Sequence, residues 1–220
     1  MASATQKNEI IQYGEFKVEV TKNNPGLNFP QKMGKKLWLP MFLMGIMAFP
    51  VAFILGAFHG AAVADGATEA NKAAVLGQLV PAVQFIGFMS IFSAIVFAIA
   101  RILGAFREGG GGVQESAGRR VLTLVMPPTA WAMLALMMMG MMMLLFAIVA
   151  HFVLAFVVDD ASLSTLRDVQ TWSTWLDGLR RFGVSTYLLS FAFGLYTIVN
   201  VIRLQSRRIR ELSDEEAVSA

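Results

Sequence analysis

Long apolar stretches separated by short charged segments organise this chain. The longest, Val121 to Val158, runs for 38 residues with His151 as its one titratable side chain. Apolar runs of 18 or more residues are the usual mark of a membrane helix, because roughly 20 helical residues cross the hydrocarbon core. Three further runs reach that length and predict spans at about Leu37–Phe58, Leu79–Leu103 and Phe182–Ile202. The third run is too long for one perpendicular helix: it would reach ~57 Å against ~30 Å of hydrocarbon. Pro127 and Pro128 resolve part of the excess, since proline lacks the helix donor and favours the first helical position. The span is therefore expected over 128–158, tilted or projecting beyond the bilayer.

Between the third and fourth spans the period changes. Leu163, Leu166, Val169, Trp172, Leu176, Leu179 and Phe182 recur at spacings of three and four, with Arg167, Asp168, Asp177 and Arg180 between them. This predicts an amphipathic helix over about 161–180, with Trp172 and Trp175 at headgroup level. It lies on the outer membrane face or packs against a partner's extramembrane domain. Near the N-terminus Phe16–Val20 alternates as a short edge strand would, and Asn23-Asn24-Pro25-Gly26 reads as a turn. A head of 36 residues is too small to fold alone and is expected to dock on a neighbour or on the membrane face. Gly109–Gly112 reads as a flexible linker, and the polar tail 203–220 follows the last span.

Composition agrees with this pattern. The chain is 56% hydrophobic, and 15% of its residues are charged, against about 25% in a soluble domain. The placement of Lys and Arg sets the orientation. The N-terminal tail, the 101–120 loop and the C-terminal tail hold fourteen of the eighteen. The excess of cations marks the cytoplasmic side. The expected fold is thus an all-α integral membrane protein of the inner, cytoplasmic-type membrane. It is a four-transmembrane-helix bundle spanning 37–202, with both termini cytoplasmic and an interfacial helix on the outer face. Because the first 36 residues are polar, Leu37–Phe58 is expected to remain as a membrane helix rather than serve as a cleaved signal.

The absence of cysteine excludes disulfides, thiolate metal sites, iron–sulfur clusters and covalently attached haem. No serine–histidine–acid set, HExxH or histidine-rich diiron pattern occurs, so catalysis by this chain alone is not expected. No acidic or basic residue falls at mid-span, which argues against an ion-coupled transporter. Gln84 and Asn200 are uncharged polar residues inside spans.

Two sets of residues carry candidate chemistry. His59 and His151 both fall near the outer ends of their spans. Imidazole binds haem iron, copper or zinc, and haem b needs only axial ligands from two helices. Asp159 and Asp160, with Asp65, could complete a metal site. Both histidines also have a structural reading, as helix-end and helix-bridging polar groups. The second set is Met133, Met137 and Met141, spaced by four, with Met138/Met142 and Met139/Met143 continuing around the helix. Thioether sulfur suits Cu(I). This MxxxM spacing resembles the motif of high-affinity copper-uptake transporters, which have three spans where this chain has four. The resemblance implies copper handling; flexible packing is the other account. Small residues four apart (Ala52, Gly56 and Gly60; Ser90, Ala94 and Ala98; Ser190 and Gly194) predict close helix contacts, within the chain or with another subunit.

The leading functional expectation is a non-catalytic membrane subunit that scaffolds or anchors other membrane subunits of a hetero-oligomeric complex, such as a respiratory or metal-dependent oxidative enzyme. The alternatives are a haem b or quinone-contacting electron-transport anchor and a copper-handling protein. The lipid bilayer is the expected surrounding, and no nucleic-acid partner is expected.

Overall fold

In the computed structural model of the chain, residues 9–158 and 163–219 are described. The element order is β1 (Glu9–Tyr13), β2 (Phe16–Thr21), α1 (Phe29–Ala64), a 3-10 turn at Gly66–Glu69, α2 (Ala70–Ser116), β3 (Val121–Leu124), α3 (Pro128–Val158) and α4 (Leu163–Ser219). Among the described residues, four helices are long and apolar enough to cross a membrane, as expected of a multi-pass membrane protein.

The helices extend beyond the expected spans. Asn28 and Gln31 cap α1 reciprocally: Gln31 N donates to Asn28 Oδ1 at 3.1 Å, and Asn28 N to Gln31 Oε1 at 3.0 Å. That capping box starts the helix at Phe29, eight residues before the apolar run. At the other end of the chain, α4 is one unbroken helix of 57 residues. The amphipathic segment and the fourth span are thus continuous, where two elements were expected. No proline or positive-φ residue interrupts 163–219.

The chain separates into two compact units. The first comprises Met1–Lys36, Phe97–Met133 and Ala192–Ala220. Its sheet has the order β1-β2-β3, antiparallel throughout. The Phe16–Val20 segment is therefore a central strand, not an edge. Val121–Leu124 supplies the extra strand from the apolar run that precedes Pro127. Gly14 makes the hairpin possible: its φ of +58° is readily accessible to glycine, and Tyr13 pairs with Phe16 across the two-residue turn. Phe16, Val18 and Leu122 form a small core with Leu204 of α4. The head docks on this chain's own helix and does not stand alone. The Gln114 side chain holds β3 by its backbone: Leu122 N donates to Gln114 Oε1 at 2.9 Å, and Gln114 Nε2 donates to Leu122 O at 3.3 Å.

The glycine run Gly109–Gly112 is helical, contrary to the linker expectation. A Cβ on Gly110 would collide with the Gln205 amide, and one on Gly111 would lie 2.9 Å from Asn24. Gly110 and Gly111 are close-approach positions, which offsets their poor helix propensity, whereas Gly109 and Gly112 have nothing within 4 Å of a Cβ.

The second unit comprises Leu37–Val96 and Leu134–Phe191. Helix α1 meets α2 through a narrow stripe. A Cβ on Gly45 would meet Ile91 at 2.6 Å, and one on Gly87 would meet the Phe49 ring at 3.1 Å. Helices α3 and α4 cross through Gly140, set against Thr186 and Tyr187, and Gly183, set against Leu144. Ser90, Ala94 and Ser190 of the small-residue rows are buried. Gly56 and Gly60, by contrast, have nothing within 4 Å of a built Cβ.

Candidate functional site

Within the second unit, polar side chains converge on one face of α2. His151, on α3, is 1% exposed. Its Nδ1 lies 2.8 Å from Gln78 Oε1. An amide oxygen can only accept, so Nδ1 carries the proton and donates. Nε2 then holds the lone pair, and it is buried with no hydrogen-bond partner among the described residues. An outer partner that fixes one ring nitrogen as donor and leaves the other free is the arrangement found behind metal-ligating histidines.

One helical face further along α2 stands Phe85, seven residues and thus two turns from Gln78. The Arg180 guanidinium sits 4.8 Å from its ring centroid. Arg180 is only 9% exposed, although its position in the amphipathic pattern placed it among the polar residues. Two contacts permit that burial. Arg180 Nη2 donates to Asp177 Oδ1 at 2.9 Å, and the cation lies on an aromatic face. Arg181 also pairs with Asp177, at 2.8 Å, from the exposed side. Arg180 Nε is buried without a partner among the described residues. The site thus presents an orphan acceptor on His151 and an orphan donor on Arg180.

The apolar stripe of the amphipathic segment divides accordingly. Val169 and Leu176 are buried, while Trp172, Trp175 and Phe182 are exposed. Trp175 packs edge-on against Phe146 of α3 at 6.3 Å. Further along the same unit, the Tyr187 hydroxyl and Ser93 Oγ share a hydrogen bond of 2.9 Å.

His59 is half-buried on α1 and approaches Gly77, where a Cβ would lie 3.4 Å from its Nε2. The two histidines therefore meet consecutive residues of α2, whose side-chain directions differ by about 100°. Asp65 is exposed at the turn after α1 and does not cap it with its side chain. Asp159 and Asp160 lie outside the described residues. Among the described residues, no three His, Cys, Asp or Glu side chains come together as a metal site. Met133 and Met137 are buried and Met141 is half-buried. Met133 Sδ would lie 2.8 Å from a Cβ on Gly194, so this sulfur fills the space that glycine leaves.

Gln78, Phe85, Asp177 and Arg180 were not among the expected site residues. The Asp177–Arg180 spacing of three was a readable signal for an ion pair on one helix face. Comparison with protein families, with curated proteins and with solved structures gives no match.

Proposed function

We propose that this chain is a non-catalytic subunit that anchors or scaffolds a larger membrane complex, with both termini on the cytoplasmic side of an inner membrane. The observation that carries the reading is the open glycine face of α1. Gly56 and Gly60 stand one turn apart with nothing within 4 Å of a built Cβ. A glycine inside a helix costs roughly 1 kcal/mol relative to alanine, and in lipid that cost is recovered where another helix approaches closely. Among the described residues nothing recovers it. Helix α1 is also the least covered of the four: 17% of its most apolar window is buried, against 33–39% in the others. A second helix supplied by another subunit would fill this face.

The test is gentle purification from the native membrane in mild detergent, followed by mass spectrometry of the co-purifying chains. Stoichiometric larger subunits are expected. A stable monomer without companions would overturn the reading.

The free Nε2 of His151 favours a second reading, an electron-transfer anchor that holds haem b or contacts a quinone. The absorbance spectrum of the same preparation separates the two. A Soret band lost in His151→Ala would support the second, and a band unchanged in His151→Ala and His59→Ala would remove both ligands.

A further inference from the structure

The last turns of α4 carry a row of arginines that the head uses only in part. Arg203, Arg207 and Arg210 line a groove of about 610 Å³ together with Ile202, Ser206, Glu211 and Asp214. On a helix, residues seven apart point within about 20° of one another and lie about 10.5 Å apart along the axis. Arg203 and Arg210 are such a pair, and Arg207 sits between them. Ile202 and Ile209 are another such pair, both exposed, at 42% and 52%. An exposed apolar row therefore runs beside the basic row, at the point where the fourth apolar span ends.

The charges in this groove are unequally matched. Glu211 is bound by the Tyr13 hydroxyl, by Arg208 at 3.1 Å and by Arg207 at 3.5 Å. Arg207 is further held over the Tyr13 ring, 5.0 Å from its centroid. Arg203 and Arg210 are exposed and make no ion pair among the described residues. The groove thus sets two unpaired guanidiniums and one oriented by the hairpin against two carboxylates, the already bound Glu211 and the exposed Asp214 at its far end. Guanidinium groups recognise phosphate oxygens through paired charge-assisted hydrogen bonds. The adjoining isoleucines add an apolar wall that a soluble anion does not use.

We propose that this groove binds the phosphodiester headgroup of an anionic membrane lipid, with an acyl chain against Ile202. The proposal rests on reading α4 as a span that ends near Ile202 and is independent of any partner subunit. Arg203 and Arg210 grip the phosphate, and Arg207 sets the wall between them. Juxtamembrane arginines near an anionic surface contribute about fivefold each to such binding, or about 25-fold for the pair.

The experiment uses the full chain, stripped of lipid in detergent. It is offered equal amounts of phosphatidylglycerol and phosphatidylcholine, and retained lipid is read by native mass spectrometry. Preferential retention of phosphatidylglycerol is expected. Arg203→Gln/Arg210→Gln should lower its retention by about 25-fold. Arg120→Gln, at an exposed arginine elsewhere in the same unit, should leave it unchanged. Arg203→Gln alone should give about a fivefold loss if the double variant does not fold. Equal retention of the two lipids, or equal loss in Arg120→Gln, would overturn the proposal. Complete displacement of phosphatidylglycerol by millimolar inorganic phosphate would also overturn it, assigning the groove to a free anion.

Discussion

Replacing Gly140 with alanine places a new carbon 2.8 Å from the Tyr187 ring, 2.7 Å from Thr186 Oγ1 and 3.0 Å from the Gly183 carbonyl oxygen. Carbon contacts are most favourable at about 3.5–4.0 Å, so the ring must retreat by roughly 0.7 Å or more. None of the three neighbours yields easily. Tyr187 is fully buried and tied to Ser93 at 2.9 Å. Thr186 Oγ1 donates to the Gly183 carbonyl at 2.7 Å, and that carbonyl belongs to the backbone of α4. Overpacking of this kind costs about 1–3 kcal/mol, and the better helix propensity of alanine returns at most about 1 kcal/mol. The net expectation is a loss of about 1 kcal/mol, or about a fivefold shift in the unfolding equilibrium. Gly140→Leu should lose more, because its further carbons enter the same crossing. Gly178→Ala is the control: nothing lies within 4 Å of its Cβ, so only the propensity gain remains. Reversible unfolding in mixed dodecylmaltoside and dodecylsulfate micelles, followed by tryptophan fluorescence and far-ultraviolet dichroism, measures all three. If Gly140→Ala resisted unfolding as well as Gly178→Ala does, the α3–α4 crossing would not be the close contact described here.

Two further predictions concern the polar contacts. Gln78→Leu should destabilise the second unit by ~1–3 kcal/mol, because the His151 Nδ1–H is left buried without an acceptor; stability equal to that of the parent in the same micelle titration would refute the pairing. The docking of the hairpin should have a defined pH window. The Tyr13 hydroxyl, followed by the flanking arginines, holds the Glu211 carboxyl below its ordinary value of 4.5, so its contribution is present above that pH and is lost as the pH falls through the lower folded value. Burial, followed by Glu211, holds the Tyr13 hydroxyl above its ordinary value of 10.0, so docking weakens again as the pH rises through the raised value. The amide resonance of Gly14, which packs against Arg207, should shift at both limits and stay constant between them; Tyr13→Phe should abolish the alkaline limb.

What could be read from the chain and what could not divide along sequence distance. The spans were legible because an apolar run is a local property, and the start of α3 at Pro128 followed from one residue's chemistry. The turn at Asn23–Gly26 was legible for the same reason: Asn24 Oδ1 accepts from Gly26 N at 3.1 Å, and Gly26 has a φ of +66°. The identity of β3 was not legible, because Val121–Leu124 is as apolar as the helix that follows it and becomes a strand only by pairing with β2 about a hundred residues away. A run of four glycines reads alike as linker or close crossing, and Gln205 and Asn24, which decide the matter, are distant in sequence. Of the site, the histidines stood out as rare ionisable groups near spans. Their neighbours did not: Gln78 lies 73 residues from His151, and the burial of Arg180 depends on a ring of α2.

The open face of α1 is where the functional reading meets its sharpest physical test. Gly56 and Gly60 face either lipid or another helix, and leucine at both positions separates these. Among the described residues a Cβ at either position meets no neighbour, so an isolated protein should be as stable as the parent or more so. Against lipid, leucine is equally welcome, and the assembly of the protein would not change. Against a closely packed partner, each added side chain occupies space that the partner's backbone needs. Overpacking at two such points costs about 2–6 kcal/mol, enough to lower association by roughly 30-fold or more. Gly56→Leu/Gly60→Leu should therefore leave micelle unfolding intact and strip the co-purifying chains. If companions remained in full stoichiometry, α1 would face lipid along this row and the scaffold reading would lose the observation that carries it. If instead the isolated chain unfolded early, the row would be packed within the chain after all.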